Sequence, residues 1–345
     1  MTDILLYGPV NDLSGYGTVS RNLAISLSNL GANVKVVVKE KLSIREHFEE
    51  ITRLSETRHS GKPAILLIST PKKTRHYRAG ALLTIVTNWE TTRLPAEWVE
   101  KLNRYDCVFV PGSFNERVFV ESGVKKPSII CGYGCDHLSP RHEQPPEDKF
   151  RFLSVFLWLP RKDYETLIRV FSSTFAPGEA ELVLLTYKMT EGDWLAEILS
   201  EIETLAPRRQ DIKIVEPNWQ NLPDLYHQCH CLVNASHGEA FFLPGLEALS
   251  VGRPFITVAF GGQMDYATSK TAELVDYRLI DAEWGQWAQV NADALATSMR
   301  RVFENYDKAL TKAQNAMKML RERFTWTKSA SVIKSRIEQM LSQKA

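Results

Sequence analysis

Short apolar runs separated by helix-length amphipathic segments recur from one end of the chain to the other. ILLY is followed by a loop, by the helical pattern VSRNLAISLSNLG and by VKVVV. AILLI, ALLTIVT, CVFVPG and SIICGYG come next, with AEWVEKLNRY and NERVFVESG between them. Apolar runs of about four to six residues spaced by helical patterns predict parallel strands joined by crossover helices. Ser139–Lys149, SPRHEQPPEDK, interrupts the alternation with proline and charge and predicts a linker. Beyond it the alternation resumes with FRFLSVFLW, DYETLIRVFSSTF, ELVLLTY, a helix around WLAEILSEIETL, IKIVE, LPDLYHQC, CLVNAS, LEALSVG and PFITV. From about Ala292 onward the pattern is helical.

The expectation is an α/β protein of two Rossmann-like domains, residues 1–145 and 146–325, with a closing helix over 326–345 that packs back towards the first domain. Two such sheets joined by a linker place a ligand crevice between them, because open α/β sheets bind ligands outside the carboxyl ends of their strands. A cleft enzyme is therefore the default.

Composition agrees with a soluble globular chain: 345 residues, 44% hydrophobic and 24% charged. The net charge of +1 gives no global field that would recruit nucleic acid or an acidic membrane, which leaves room for a local patch. Cys107, Cys131, Cys135, Cys229 and Cys231 show neither paired spacing nor an even count, so a reduced, cytoplasmic compartment is expected rather than a disulfide framework or a zinc site. The start MTDILLYGPV has no signal-peptide pattern, and no run approaches the roughly 18 apolar residues of a spanning helix. Docking on a membrane surface stays open.

The candidate chemistry is concentrated in SHGEAFFLPGLEALSVGRP, Ser236–Pro254. With CLVNAS as a strand and PGLEALSVG as a helix, Pro244 occupies a favoured first-turn position and Gly252 marks the stop. Amides around Phe242 to Leu246 then form a helix N-terminus suited to an anion such as a diphosphate. Glu239 falls at the strand exit and Glu247 in the first helical turn, where it could take two vicinal hydroxyls. Taken alone, Glu247 reads rather as a complement to the helix dipole and Glu239 as a solvated acid; the surrounding residues shift that balance.

The segment SHGEAFFLPGLEALSVGRPFITVAFGGQMDY resembles the signature of the retaining GT-B glycosyltransferases of the "group 1" family: a Glu, seven residues, a second Glu, then Gly-x-Pro and a Gly-Gly pair. Here these are Glu239, Glu247, Gly252, Pro254, Gly261 and Gly262. SGYGTVSRNLAISLSNLGANV is similar to the family's glycine-rich loop and first helix, with Gly15 as the best match to the glycine against the donor phosphate and Gly17 nearby. NWETTRLPAEWVEKLNRYDCVFVPGSFNERVFVESGV resembles a subgroup with a Trp-Glu-Thr segment and a Pro-x-Ser-x-Asn turn, and VFLWLPRKDYETLI the start of the nucleotide-binding half.

The resemblance implies a GT-B fold, two domains facing each other across a cleft, and transfer of a hexose from a nucleotide-diphosphate sugar to a hydroxyl acceptor, a glycan or glycolipid, with retention and with no cofactor or metal. No Asp-x-Asp pair occurs in the chain. It implies that Glu247 holds the ribose, Glu239 a hydroxyl of the donor sugar, backbone near Phe242 and Leu243 the phosphates, and Lys162 their charge. The base would lie near VEPNWQNLPDLY, with Pro217 to Trp219 and Leu222 as candidates, and Glu90 would orient the acceptor. Leu157 stands where many relatives have an arginine, so that either Arg161 substitutes or the role falls on Lys162 and the helix N-terminus, and Phe242 stands where relatives often have glycine. Asp265 follows the Gly-Gly pair. Two other readings stay open: a modified nucleobase in DNA as acceptor, and a non-catalytic sugar-nucleotide-binding protein of the same fold. The run PKKTRHYRAG (Lys72, Lys73, Arg75, His76, Arg78) reads as a solvated loop ahead of a grip on an anionic acceptor, and Cys229, His230 and Cys231 read as core rather than metal ligands.

Overall fold

A computed structural model of the chain describes residues 1–44, 47–72, 80–140, 145–189, 192–218 and 221–344. It divides into two compact units, Met1–His137 with Arg323–Ala345, and Leu138–Glu322.

The first unit contains β1 (Asp3–Tyr7), α1 (Gly15–Asn29), β2 (Asn33–Val36), α2 (Phe48–Ser55), β3 (Ala64–Ile68), β4 (Leu82–Val86), α3 (Ala96–Leu102), β5 (Cys107–Val110), α4 (Ser113–Glu121) and β6 (Ser128–Ile130). Its strands form one parallel sheet in the order β2-β1-β3-β4-β5-β6. β3 and β5 are buried at every position, as strands covered on both faces must be, which is why they read as unbroken apolar runs.

The second unit contains β7 (Phe150–Val155), α5 (Tyr164–Thr174), β8 (Ala180–Leu185), α6 (Trp194–Leu205), β9 (Ile212–Val215), α7 (Asn221–Gln228), β10 (Cys231–Asn234), α8 (Leu243–Ser250), β11 (Phe255–Val258), β12 (Glu273–Val275), β13 (Tyr277–Asp281), β14 (Gln286–Val290), α9 (Ala292–Glu304) and α10 (Tyr306–Arg323). Here the parallel order is β12-β11-β10-β7-β8-β9. The chain winds outward from β7 to β9, then returns to the other side of β7 with β10. The carboxyl ends of β7 and β10 are thus the topological switch point, where loops part and leave a crevice. α11 (Trp326–Ser342) belongs to the first unit, with the Trp326 amide donating to Asp136 Oδ1 at 2.8 Å and Glu338 accepting from the Thr2 hydroxyl at 2.7 Å.

The α/β class and the eleven longest apolar runs emerge as the sequence predicts. The antiparallel hairpin of β13 and β14 does not follow from the pattern: β13 is largely exposed, so it carries no apolar run.

Candidate active site

Two loops leave the switch point of the second unit. The first, after β7, runs through Leu157 to a short 3-10 turn at Pro160–Lys162 and ends at Asp163, which adopts a left-handed backbone and caps α5. The second, after β10, carries Ser236 to Phe242. They are tied together through Arg161: its carbonyl accepts the His237 amide at 2.8 Å and the Ser236 hydroxyl at 3.1 Å, and its guanidinium donates to the Gly238 carbonyl.

This tie brings three charges together. Lys162 Nζ lies 2.5 Å from Glu239 Oε1, and Arg161 Nη1 lies 3.5 Å from Oε2 of the same carboxylate. Glu239 is only 5% exposed. Burial alone raises a carboxyl, but the charges of Lys162 and Arg161 outweigh it and hold Glu239 below the usual carboxylate range. Glu239 is therefore not a solvated acid, and Arg161 stands beside Lys162 as a second cation where Leu157, half-buried, supplies none.

The glycine pair explains how that loop is held. Gly262 N donates to Glu239 O at 2.8 Å, and a Cβ on Gly262 would sit 1.7 Å from the Ala240 carbonyl oxygen. Gly261 has φ +99, and its Cβ would meet Glu239 O at 2.7 Å. The pair is required because the backbone of Glu239–Phe241 lies directly on it.

Phe242 caps α8 with φ 59 and ψ 67, a left-handed conformation that glycine adopts freely and L residues seldom do. A glycine would adopt this backbone without steric cost. Tyr266 donates its hydroxyl to the Phe242 carbonyl at 2.5 Å, and the Phe242 ring stacks on Phe255 at 5.7 Å while facing Lys162 Nζ at 5.9 Å. The helix N-terminus offers fewer free amides than the sequence suggests. Pro244 has none, and the Gly245 amide is spent on Phe242 O at 3.0 Å. Leu243 is buried.

Glu247 departs from its predicted placement. α8 starts at Leu243, so Glu247 lies in the second turn, not the first, and it is 4% exposed. A dipole complement belongs in the first turn, so that reading falls away. Its Oε2 accepts the Tyr226 hydroxyl at 2.6 Å. Burial and the Glu247 charge push the Tyr226 phenol well above its ordinary value. Tyr266 is raised likewise, first by burial and then by the charges of Glu239 and Glu247 together. Tyr226 is bonded to Glu247 and Tyr266 lies in the field of both glutamates, and sequence reasoning missed both, because a lone tyrosine in an apolar segment reads as core.

Asp265 closes the 3-10 turn after the glycine pair. Trp219 lies outside the described residues, as do Lys73, Arg75, His76 and Arg78; Leu222 lies in α7, its side chain undescribed. Cys229 and His230 are buried, and His230 stacks on Phe150 at 4.5 Å.

Gly15, Gly17 and Glu90 lie in the first unit. Gly15 is exposed at the start of α1, and a Cβ there would meet nothing within 4 Å, whereas one on Gly17 would meet Asp12 O at 2.2 Å. Gly17 thus serves the loop, and Gly15 is sterically unconstrained. Glu90 follows β4. Asn115, fully buried on α4, clamps the preceding Trp89, with Oδ1 accepting its amide at 2.8 Å and Nδ2 donating to its carbonyl at 3.1 Å. The Trp-Glu-Thr segment and the Pro-x-Ser-x-Asn turn are therefore one device, which sequence spacing did not reveal. Tyr16 joins it, donating to Asn88 Oδ1 at 3.2 Å. Its phenol is raised by burial, with a smaller contribution from the Glu90 charge.

A family model described as family 4 glycosyltransferase in conflict systems matches residues 114–333. Sucrose-phosphate synthase from Thermosynechococcus elongatus is 17% identical over 99% of this chain and 100% of its own, with a TM-score of 0.75. A glycosyltransferase from Rickettsia africae is 15% identical over 100% and 99%, with a TM-score of 0.74. HepE of Anabaena, solved with UDP and glucose, is 14% identical over 98% and 100%, with a TM-score of 0.73. At such identities the likeness is one of fold. No curated protein matches the sequence.

Proposed function

The chain belongs to the family 4 glycosyltransferases of conflict systems, and on that premise we infer that it transfers a hexose from a nucleotide-diphosphate sugar to a hydroxyl acceptor, with retention and without a metal ion. The observation that carries this reading is the buried meeting of Lys162, Arg161 and Glu239 at the switch point of the second unit. As the anomeric carbon loses its diphosphate, positive charge develops on the sugar and negative charge on the leaving group. Lys162 and Arg161 are placed to complement the diphosphate, and the ionised Glu239 to accept a sugar hydroxyl while countering the cationic ring. Glu247 binds the ribose, with Tyr226 orienting its carboxylate. Retention then follows from front-face attack, the leaving phosphate taking the acceptor's proton. In the first unit Glu90, held by the Asn115 clamp, orients the acceptor.

The structure of HepE with UDP and glucose supports a uridine diphosphate donor as the first to try. The test is thermal denaturation with UDP, GDP and their glucose conjugates, since a ligand of the folded state raises the melting temperature by mass action. Stabilisation by one of them, with loss of donor turnover in Glu239→Ala, is the expected result. Absence of any shift sinks the reading. Stabilisation without hydrolysis or transfer would favour a non-catalytic binding protein.

A further inference from the structure

The net charge of +1 conceals a division. Met1–His137 with Arg323–Ala345 holds 23 Lys and Arg against 15 Asp and Glu, a net of +8. Leu138–Glu322 holds 19 against 26, a net of −7. A uniform chain of the same composition has no such dipole, and a polyanion approaching this one is drawn to the first unit and repelled by the second.

The topology places some of that charge along a line. Every strand of the first sheet is parallel, so the loops that follow them share one edge. Lys39 and Lys41 follow β2, Lys72 follows β3 and Arg93 follows β4, while Arg117 on α4, after β5, reaches back over the Phe114 ring of the first turn at 5.8 Å. All five are exposed, and none makes an ion pair among the described residues. In the order β2-β1-β3-β4-β5 they span four interstrand steps, about 19 Å.

The acids at that edge are Asp12, Glu40, Glu90, Glu116 and Asp136, of which Asp12 accepts the Ser14 amide at 3.0 Å and Asp136 the Trp326 amide at 2.8 Å. Away from that edge several of the unit's cations are paired: Lys101 with Glu97 at 2.7 Å, Lys334 with Glu338 at 2.7 Å and Lys344 with Asp106 at 3.2 Å.

We propose that the carboxyl edge of the first unit's sheet binds a phosphodiester polymer, a nucleic-acid strand, through Lys39, Lys41, Lys72, Arg93 and Arg117. Regularly spaced phosphates suit a row of unpaired cations. A lipid surface would also need apolar residues to insert beside the charge. The exposed large apolar residues of this unit, Met1, Phe48, Val120, Ile130 and Val332, are scattered singly over separate segments. That the polymer is the acceptor rests on the transferase reading; that it binds does not.

The test uses the full chain and a fluorescein-labelled single-stranded oligonucleotide, read by anisotropy across a salt series. Five phosphate contacts on a single strand predict that log Kd rises with log salt with a slope of about 3 to 4. The combined variant Lys39→Glu, Lys41→Glu, Lys72→Glu and Arg93→Glu should weaken binding at least tenfold and flatten the slope. Reversal of Lys213, Lys270 and Lys318 in the second unit should not. Equal loss from both sets, no binding at low salt, or capture of phosphatidylserine vesicles in place of the oligonucleotide would overturn the proposal. The UDP-induced thermal shift is measured on the native chain too: its presence there without oligonucleotide binding leaves the donor site standing and removes only this inference.

Discussion

Lys162 Nζ meets Glu239 Oε1 at 2.5 Å, with both side chains largely out of solvent. In Lys162→Met the buried carboxylate keeps only Arg161, and removing one partner of a buried pair costs about 3–5 kcal/mol. Urea unfolding should show that loss, and the double variant Lys162→Met/Glu239→Gln should recover part of it because no buried charge is stranded. A double variant no more stable than the single one would mean that the pair is not coupled as its geometry requires.

Glycines that look alike in the sequence should differ sharply when replaced. Gly262→Ala drives a methyl to within 1.7 Å of the Ala240 carbonyl oxygen, so the Glu239 loop must move. Its melting temperature and its response to UDP should both fall. Gly15→Ala meets nothing within 4 Å, and a surface change of this kind alters stability by about 0.5 kcal/mol or less. Similar melting curves for the two variants would contradict these backbone contacts.

Phe242→Gly sets two terms against each other. Glycine relieves the left-handed backbone of Phe242, a gain of about 1 kcal/mol. Deleting the buried ring from its stack on Phe255 costs about 3–5 kcal/mol. Burial wins, and the variant should be less stable by about 2–4 kcal/mol in denaturant titration. A stabilised variant would reverse that order.

His230 should make stability fall in mild acid. Burial, and then the charges of Arg151 and Arg253, lower its imidazole to about 4, and its Nδ1 accepts the Arg151 amide at 3.1 Å. An unfolded histidine takes its proton near about 6.5. Between these values the unfolded chain binds the extra proton, so stability is full above about pH 6.5 and is lost as pH falls towards 4. Unfolding midpoints measured from pH 7 to pH 4.5 should decline in the native chain and decline less in His230→Gln. Parallel declines would assign the effect elsewhere.

The strands were legible because parallel strands covered on both faces must be continuously apolar, as AILLI and CLVN are. The glutamate spacing and the Gly-Gly pair were legible because the backbone permits few alternatives there: Gly262 has no room for a side chain. The hairpin of β13 and β14 was not, since an exposed strand is under no pressure to be apolar. Nor was the partner of Glu247, because Tyr226 lies 21 positions away and only the fold of the second unit brings its hydroxyl to 2.6 Å.

By itself, then, the chain determines two parallel α/β sheets and a loop rich in catalytic residue types, since hydrophobic period and glycine placement are local properties. Tertiary structure decides what those residues are: that Glu239 is buried and ionised beside two cations, that Glu247 is held by a tyrosine, that Asn115 sets the backbone before Glu90, and that a nearly neutral sequence separates into a basic unit and an acidic one. Burial and Coulomb energy depend on distances between residues far apart in the chain, and only the folded chain fixes those distances.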